Sequence, residues 1–366
     1  MIRSPRGGPH GDLARTPSDA GGGAGRTHRR AGRRDQAHQH DRRAVGQRAE
    51  AADRGRRAVR PRDHDRRRVR LRGEGPRARA ELPGRAVSDV GIHPVSGALG
   101  AEISGVDLSN ALDDQTLGVL RRAWLEHLVL LFRDQPLTPP QFLGFARRFG
   151  EIIEYPFVKG LEEYPEIIPV VKLEHERINF GGVWHSDTAY LDVPPMASML
   201  LAREVPPVGG DTLFANMYLA YETLSDGMKR LLDGLRAVNS SAKADASRTR
   251  EDRIAERGRD DARTLYEASH PVVRVHPETG RPALYVNVAH TVRFEGMTEE
   301  ESAPILAYLY RHQVRPEFTC RFRWQPGSLA FWDNRCAQHN AVNDYAGHRR
   351  LMHRITLAGD VPAGAT

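Results

Sequence analysis

The chain has 366 residues, a formal net charge of +7 and a pI of about 9.6. That is enough for one large domain or two ordinary ones, while two cysteines, Cys320 and Cys336, are too few for a disulfide framework and fit a reducing compartment. No apolar run reaches the length of a membrane span, and the basic N-terminus lacks the apolar stretch of a secretory signal, so a cytoplasmic protein is expected.

The charge is unevenly spread. Residues 1–85 hold 24 arginines, no lysine, 10 acidic residues and no aromatic residue, a net of +14. Against the total of +7, the remainder, 86–366, carries a net −7. Runs such as Arg66-Arg67-Arg68 and Gly21-Gly22-Gly23 cannot bury enough apolar surface to offset chain entropy, which predicts a disordered leader. A nucleic-acid arm would need aromatic residues or lysines, and a targeting peptide would avoid acids. A start codon set too far upstream in a GC-rich gene fits the Arg/Gly/Ala/Pro bias better. No function is assigned to this stretch, and a single domain is expected over 86–366.

From Ala86 the composition becomes that of a folded protein. Val95 to Leu108 reads as short strands and turns. Asp114 to His127 has helical spacing of Leu117, Leu120 and Trp124, and Leu128 to Phe132 reads as a buried strand. Thr138-Pro139-Pro140-Gln141 is a helix start, with a cap, proline at the first position and glutamine three residues on; that helix is expected to stop at Gly150. Strands are expected at Ser198–Glu204, Pro271–His276, Ala283–Asn287, Ser328–Asp333 and His353–Ala358. Helical stretches are expected at Asn216–Leu235 and Thr298–His312, the latter opening on a Thr298…Glu301 capping box. Ser240 to Glu267 is highly charged and reads as a flap or exposed helix. Many short strands with few helices indicate a sandwich or barrel decorated by helices.

The most informative segment is Trp184-His185-Ser186-Asp187. In a strand, residues two apart face one side, so His185 and Asp187 can aim an imidazole and a carboxylate at one point. A third ligand completes a facial triad of two His and one carboxylate, which leaves positions open on Fe(II). His339, after a strongly apolar strand, is the candidate. Alone, His-x-Asp is weak, and a structural His–Asp hydrogen bond is the bland alternative. Zinc is the rival metal, although the helical His-Glu-x-x-His of zinc hydrolases is absent. Cys336, near His339, reads as a small buried residue in the core strand rather than a redox group.

From about Val95 to Pro362 the chain resembles the taurine dioxygenase family of 2-oxoglutarate oxygenases. The resemblance rests on Trp184-His185-Ser186-Asp187, Gly209-Gly210-Asp211-Thr212-Leu213, His270-Pro271-Val272-Val273-Arg274, Arg323-Trp324-Gln325-Pro326, Trp332-Asp333-Asn334-Arg335 and Arg349-Arg350-Leu351-Met352-His353-Arg354. It implies a mainly β, double-stranded β-helix (jelly-roll) core with flanking helices, and His185, Asp187 and His339 on Fe(II). It further implies that Arg350 and Thr212 hold the distal carboxylate of 2-oxoglutarate, and that Arg354 meets an anionic substrate group. Arg349 is expected on the opposite, solvent side. The chain departs from the taurine pattern at Tyr155, where a sulfonate-binding His is expected, and at His290, where an aromatic residue lines the pocket. Asn179-Phe180-Gly181-Gly182 also lacks the polar run expected around an amine.

The implied reaction is hydroxylation of a small anionic sulfonate, sulfate ester or carboxylate other than taurine. O₂ is consumed, with release of succinate and CO₂. A homo-oligomer and no nucleic-acid partner are expected. The competing readings are a same-fold oxygenase of natural-product assembly, and a non-catalytic jelly roll or nucleic-acid-binding factor that works through the basic leader.

Overall fold

The computed structural model describes residues 90–155, 158–243 and 265–364. The leader 1–85 and most of the charged 240–267 segment lie outside the described residues. The chain opens with β1 (Gly91–Pro94), β2 (Ala101–Ser104), α1 (Asp114–His127), β3 (Val129–Phe132), α2 (Pro139–Arg147), β4 (Ile152–Ile153) and β5 (Ile168–Lys172). It continues through β6 (Ala197–Glu204), β7 (Thr212–Asn216), α3 (Met217–Glu222), α4 (Asp226–Leu232), β8 (Arg236–Ser240), β9 (Glu267–Pro271), β10 (Val273–Val275), β11 (Pro282–Leu284) and β12 (Thr291–Phe294). A helix at Glu299–His312 follows, then β13 (Thr319–Phe322), β14 (Leu329–Asp333), β15 (Ala337–Ala341), β16 (Arg350–Leu357) and β17 (Ala363–Gly364).

The helix limits follow from local capping. The Asp113 carboxylate accepts from Thr116 N at 2.7 Å to start α1, and Leu128, at φ 65°, ends it. Thr138 and Gln141 form the expected capping box of α2, which stops at Arg147 rather than Gly150. The single helix expected over Asn216–Leu235 is two, because Ser225 caps a fresh start by accepting from Met228 N. The single strand expected over Pro271–His276 is also two: β9 pairs with β8, and β10 pairs with β11 in another sheet. The Val272 N–H between them bonds the Leu235 carbonyl at 2.9 Å.

The largest sheet has the order β1-β2-β3-β14-β6-β16-β4, with β5 also on β16. A three-stranded sheet, β13-β7-β15, is one of three smaller sheets. Period-2 alternation sorts the large sheet's side chains onto two faces. Val129, Leu131, Ala330, Trp332 and Met352 join Phe214, Ala215, Cys320 and Phe322 of the small sheet in the core between the sheets. Leu130, Phe132, Leu329, Phe331, Ile355 and Leu357 face the other way, onto Trp124 of α1 and Phe142 and Phe145 of α2. Trp124 stacks on Phe331 with ring centroids 4.5 Å apart. This is the helix-flanked jelly roll expected. Among the described residues no helix is long and apolar enough to cross a membrane.

Candidate metal centre

His185 is not in a regular strand. It forms an isolated bridge with His339 of β15, in which His185 N–H donates to the His339 carbonyl at 3.1 Å and His339 N–H to the His185 carbonyl at 2.9 Å. Asp187 already lies in the turn that follows, where Thr188 has φ 40°. The strand alternation expected for His-x-Asp is therefore replaced by a bridge and a turn. The Ser186 hydroxyl anchors that turn by donating to the Asn334 and Ala337 carbonyls at 2.7 and 3.1 Å.

The three side chains converge. Their ligand atoms lie within 4.8 Å of one another, and Asp187 Oδ1 is 3.7 Å from His185 Nε2 and 3.8 Å from His339 Nε2. One ion with bonds of about 2.1 Å spans atoms up to about 4.2 Å apart, and both Asp187–imidazole distances lie within that reach. For His185 and Asp187 the other polar atom is held by protein, whereas His339 Nδ1 has no hydrogen-bond partner. His185 Nδ1 donates to the Val183 carbonyl at 2.7 Å, which leaves the Nε2 lone pair for a metal. Asp187 Oδ2 accepts from the Ser198 hydroxyl at 2.6 Å and from Arg354 Nη2 at 2.9 Å, leaving Oδ1 toward the imidazoles.

Protonation matches. Burial pushes the His185 and His339 pKa values down, and for His339 the His185 charge adds to the effect. Burial alone would raise the Asp187 pKa. Arg354, His339, His185 and the Ser198 hydrogen bond outweigh it and hold the carboxyl well below the usual range. Neutral imidazoles and an ionised carboxylate are the forms a metal takes.

His185 and Asp187 help to line a cavity of about 140 Å³. Tyr155, Phe180, Val183, Tyr190, His290 and Arg354 form part of its wall. The Arg354 guanidinium lies 5.4 Å from the Tyr155 ring centroid, and its Nε has no hydrogen-bond partner. The pKa of His290 is pushed down to about 3, first by burial and then by His185, so it lines the cavity as a neutral ring.

Thr212 and Arg350 sit apart from that cavity wall. Arg350 is 5% exposed, and its Nε and Nη2 have no hydrogen-bond partner. Its guanidinium is 5.7 Å from the Trp324 ring, and Trp324 Nε1 donates to Thr212 Oγ1 at 3.0 Å, which leaves the Thr212 hydroxyl proton free to donate. Arg349 turns outward onto Glu204, as expected. Cys336 is buried in the turn between β14 and β15 rather than in a strand.

Sequence reasoning left out Ser198, which holds Asp187, and Tyr190, which lines the cavity. Ser198 carries a faint signal, a single hydroxyl in the otherwise apolar Ala197–Ala202 run. A second group of possible ligands, His276, Asp333 and Cys336, is of another kind. Asp333 Oδ1 accepts from Arg335 N and Nε, and Oδ2 from His276 Nε2 and Arg335 Nη2, so protein donors already satisfy that carboxylate.

Comparisons with known proteins agree with this geometry. The model of the family "Taurine catabolism dioxygenase TauD, TfdA family" matches residues 91–356. An alpha-ketoglutarate-dependent sulfate ester dioxygenase of Pseudomonas putida is 37% identical over 282 residues, covering 75% of this chain and 92% of that protein. An alkylsulfatase of Acinetobacter baylyi is 36% identical over 278 residues, covering 75% and 86%. The crystal structure of a taurine dioxygenase from Burkholderia xenovorans superposes with a TM-score of 0.64 at 37% identity, covering 75% of this chain and 91% of that one. With motif, fold and convergent ligands in agreement, the chain belongs to the taurine catabolism dioxygenase TauD, TfdA family and is a 2-oxoglutarate-dependent dioxygenase.

Proposed function

We propose that the segment 86–366 hydroxylates the ester-bearing carbon of alkyl sulfates, with Fe(II) at His185, Asp187 and His339 and 2-oxoglutarate held by Arg350 and Thr212. The observation that carries the substrate class is the polarity of the cavity wall. Among the described residues Arg354 is its one Lys or Arg, and Asp187, its one carboxylate there, has Oδ2 committed and Oδ1 turned to the imidazoles. The ammonium of taurine would find no free carboxylate among the described residues of that wall. An anionic head with an apolar body suits Arg354 beside Phe180, Val183 and Tyr190. The sulfate ester dioxygenase and alkylsulfatase relatives act on that chemistry by name.

A ferrous ion, once bound, supplies the activation of dioxygen. The chain supplies placement. His185 and His339 offer Nε2, and Ser198 and Arg354 hold Asp187 so that Oδ1 is the ligand atom. The buried guanidinium of Arg350 and the Thr212 hydroxyl take the distal carboxylate of 2-oxoglutarate. The free N–H groups of Arg354 take the sulfate and turn the adjoining carbon toward the ligands. One atom of O₂ enters the succinate formed with CO₂, and the other becomes a hydroxyl on that carbon. The C–O bond to sulfate then breaks as the hydroxyl proton leaves, giving an aldehyde and hydrogen sulfate.

Steady-state kinetics on taurine, alkyl sulfonates, alkyl sulfates and aryloxy acids test this, with succinate and aldehyde as readouts. An alkyl sulfate is expected to give the highest kcat/KM. Arg354→Ala lowers that value roughly tenfold or more, because a charge-assisted contact is worth about 1.5–3 kcal/mol. His185→Ala and Asp187→Ala abolish turnover. The highest kcat/KM on taurine, or an unchanged value in Arg354→Ala, refutes the substrate assignment.

A further inference from the structure

The register of β5 on β16 sets a second cation level with Arg350. Lys172 lies directly opposite Arg350, Val170 opposite Met352 and Ile168 opposite Arg354. Directly opposed residues project to the same face of a sheet. Met352 belongs to the core between the sheets, so Lys172 also points inward. Residues four apart in a strand are roughly 13 Å apart along it, so Lys172 and Arg350 stand well away from the Arg354–Asp187 pair.

Lys172 is 3% exposed and its Nζ has no hydrogen-bond partner. The ammonium rests 4.5 Å from the centroid of the Tyr345 ring. A Cβ built on Gly210 would come 3.3 Å from Tyr345 Cδ1 and 3.4 Å from Arg350 Cδ. The ring that carries Lys172 and the stem of Arg350 therefore pack on the same glycine. The carboxylates around them are committed elsewhere. Glu176 accepts from Leu173 N, Asp344 from Gly210 N and Arg321, and Asp211 from Arg321. A buried ammonium and a buried guanidinium, both without an acceptor, are costly unless an anion joins them.

We propose that Lys172 is a second cation for the distal carboxylate of 2-oxoglutarate and sets the preference for a dicarboxylic over a monocarboxylic 2-oxo acid. The proposal rests on the placement of that carboxylate at Arg350 and Thr212. A carboxylate has lone pairs enough for an arginine fork and an ammonium together. Lys172 is thus a cosubstrate-binding residue, and Tyr345 positions it through its ring face.

The test is anaerobic calorimetric titration of the full Fe(II)-loaded chain with 2-oxoglutarate and with 2-oxopentanoate, which has a methyl group in place of the distal carboxylate. Wild type is expected to bind 2-oxoglutarate far more tightly. Lys172→Met weakens 2-oxoglutarate roughly tenfold or more and leaves 2-oxopentanoate unchanged, whereas Lys172→Arg keeps most of the preference. Without ligand, Lys172→Met has an equal or higher thermal midpoint, since a buried unpaired charge is gone, and 2-oxoglutarate raises that midpoint less than in wild type. Unchanged 2-oxoglutarate binding in Lys172→Met, or an equal loss for both acids, overturns the proposal. Arg350→Met separates the two levels. If it removes the preference while Lys172→Met does not, the cradle stands and only the role of Lys172 falls. If wild type shows no preference, the cradle itself is wrong.

Discussion

Asp187 is held from two sides at Oδ2, which leaves Oδ1 as the oxygen a metal would take. Ser198 donates to Oδ2 at 2.6 Å, and Ser198 in turn accepts from Asn334 Nδ2 at 3.1 Å and lies 3.3 Å from Arg354 Nη2. Groups behind metal ligands orient them, and their loss typically costs about 10–100-fold in metal affinity or activity. Ser198→Ala is therefore expected to weaken Fe(II) binding on that scale and leave the fold intact. Metal titration beside a thermal melt checks both halves. Wild-type metal affinity in the variant would show that Arg354 alone orients the carboxylate.

The turn between β14 and β15 carries His339 toward His185, and Asp333 holds that turn. Its carboxylate is 1% exposed and takes two hydrogen bonds from the Arg335 side chain, one from Arg335 N and one from His276 Nε2. His276 Nδ1 accepts from Glu278 and Thr279 N–H groups, which fixes Nε2–H as the donor. Burial raises the Asp333 pKa, but the hydrogen bonds from Arg335 and His276 outweigh it and bring the value from 3.8 down to about 2. The folded value lies below the unfolded one. Its stabilisation is therefore present above about pH 4 and fades as pH falls through about 2, an amount on the order of 2–3 kcal/mol. Asp333→Asn breaks a buried pair and should cost about 3–5 kcal/mol at pH 7. It should also flatten the acid limb of a urea-unfolding series between pH 4 and 2. An acid limb identical to wild type would place the acid sensitivity elsewhere.

At the scale of the whole molecule, the family match begins at residue 91, and the net charge of the 86–366 segment is opposite in sign to that of the leader. A chain beginning at Ala86 is expected to keep the thermal midpoint and the kcat/KM of the full chain. Any retention on DNA at low salt should belong to the full chain alone and decline steeply with salt, as phosphate contacts from arginine do. A large loss of stability or turnover on truncation would mean that residues 1–85 serve the body.

Contacts a few residues long were legible without a fold. Thr138 caps a helix within the next turn, the Thr298…Glu301 box does the same, and the apolar run Leu128–Phe132 reads as a buried strand. The His-x-Asp pair and the family motifs named the candidate ligands for the same reason, since each is a short run of residue types. The break at Ser225 and the change of sheet at Val272 were not legible, because either stretch has the composition of one continuous element and only its neighbours interrupt it. Tertiary structure alone decided that His339 sits opposite His185, that Ser198 takes one oxygen of Asp187, and that Lys172 faces inward level with Arg350. These depend on strand register between distant segments, and register is set by how the sheets pack as a whole, where a slip of one residue would turn each side chain to the other face.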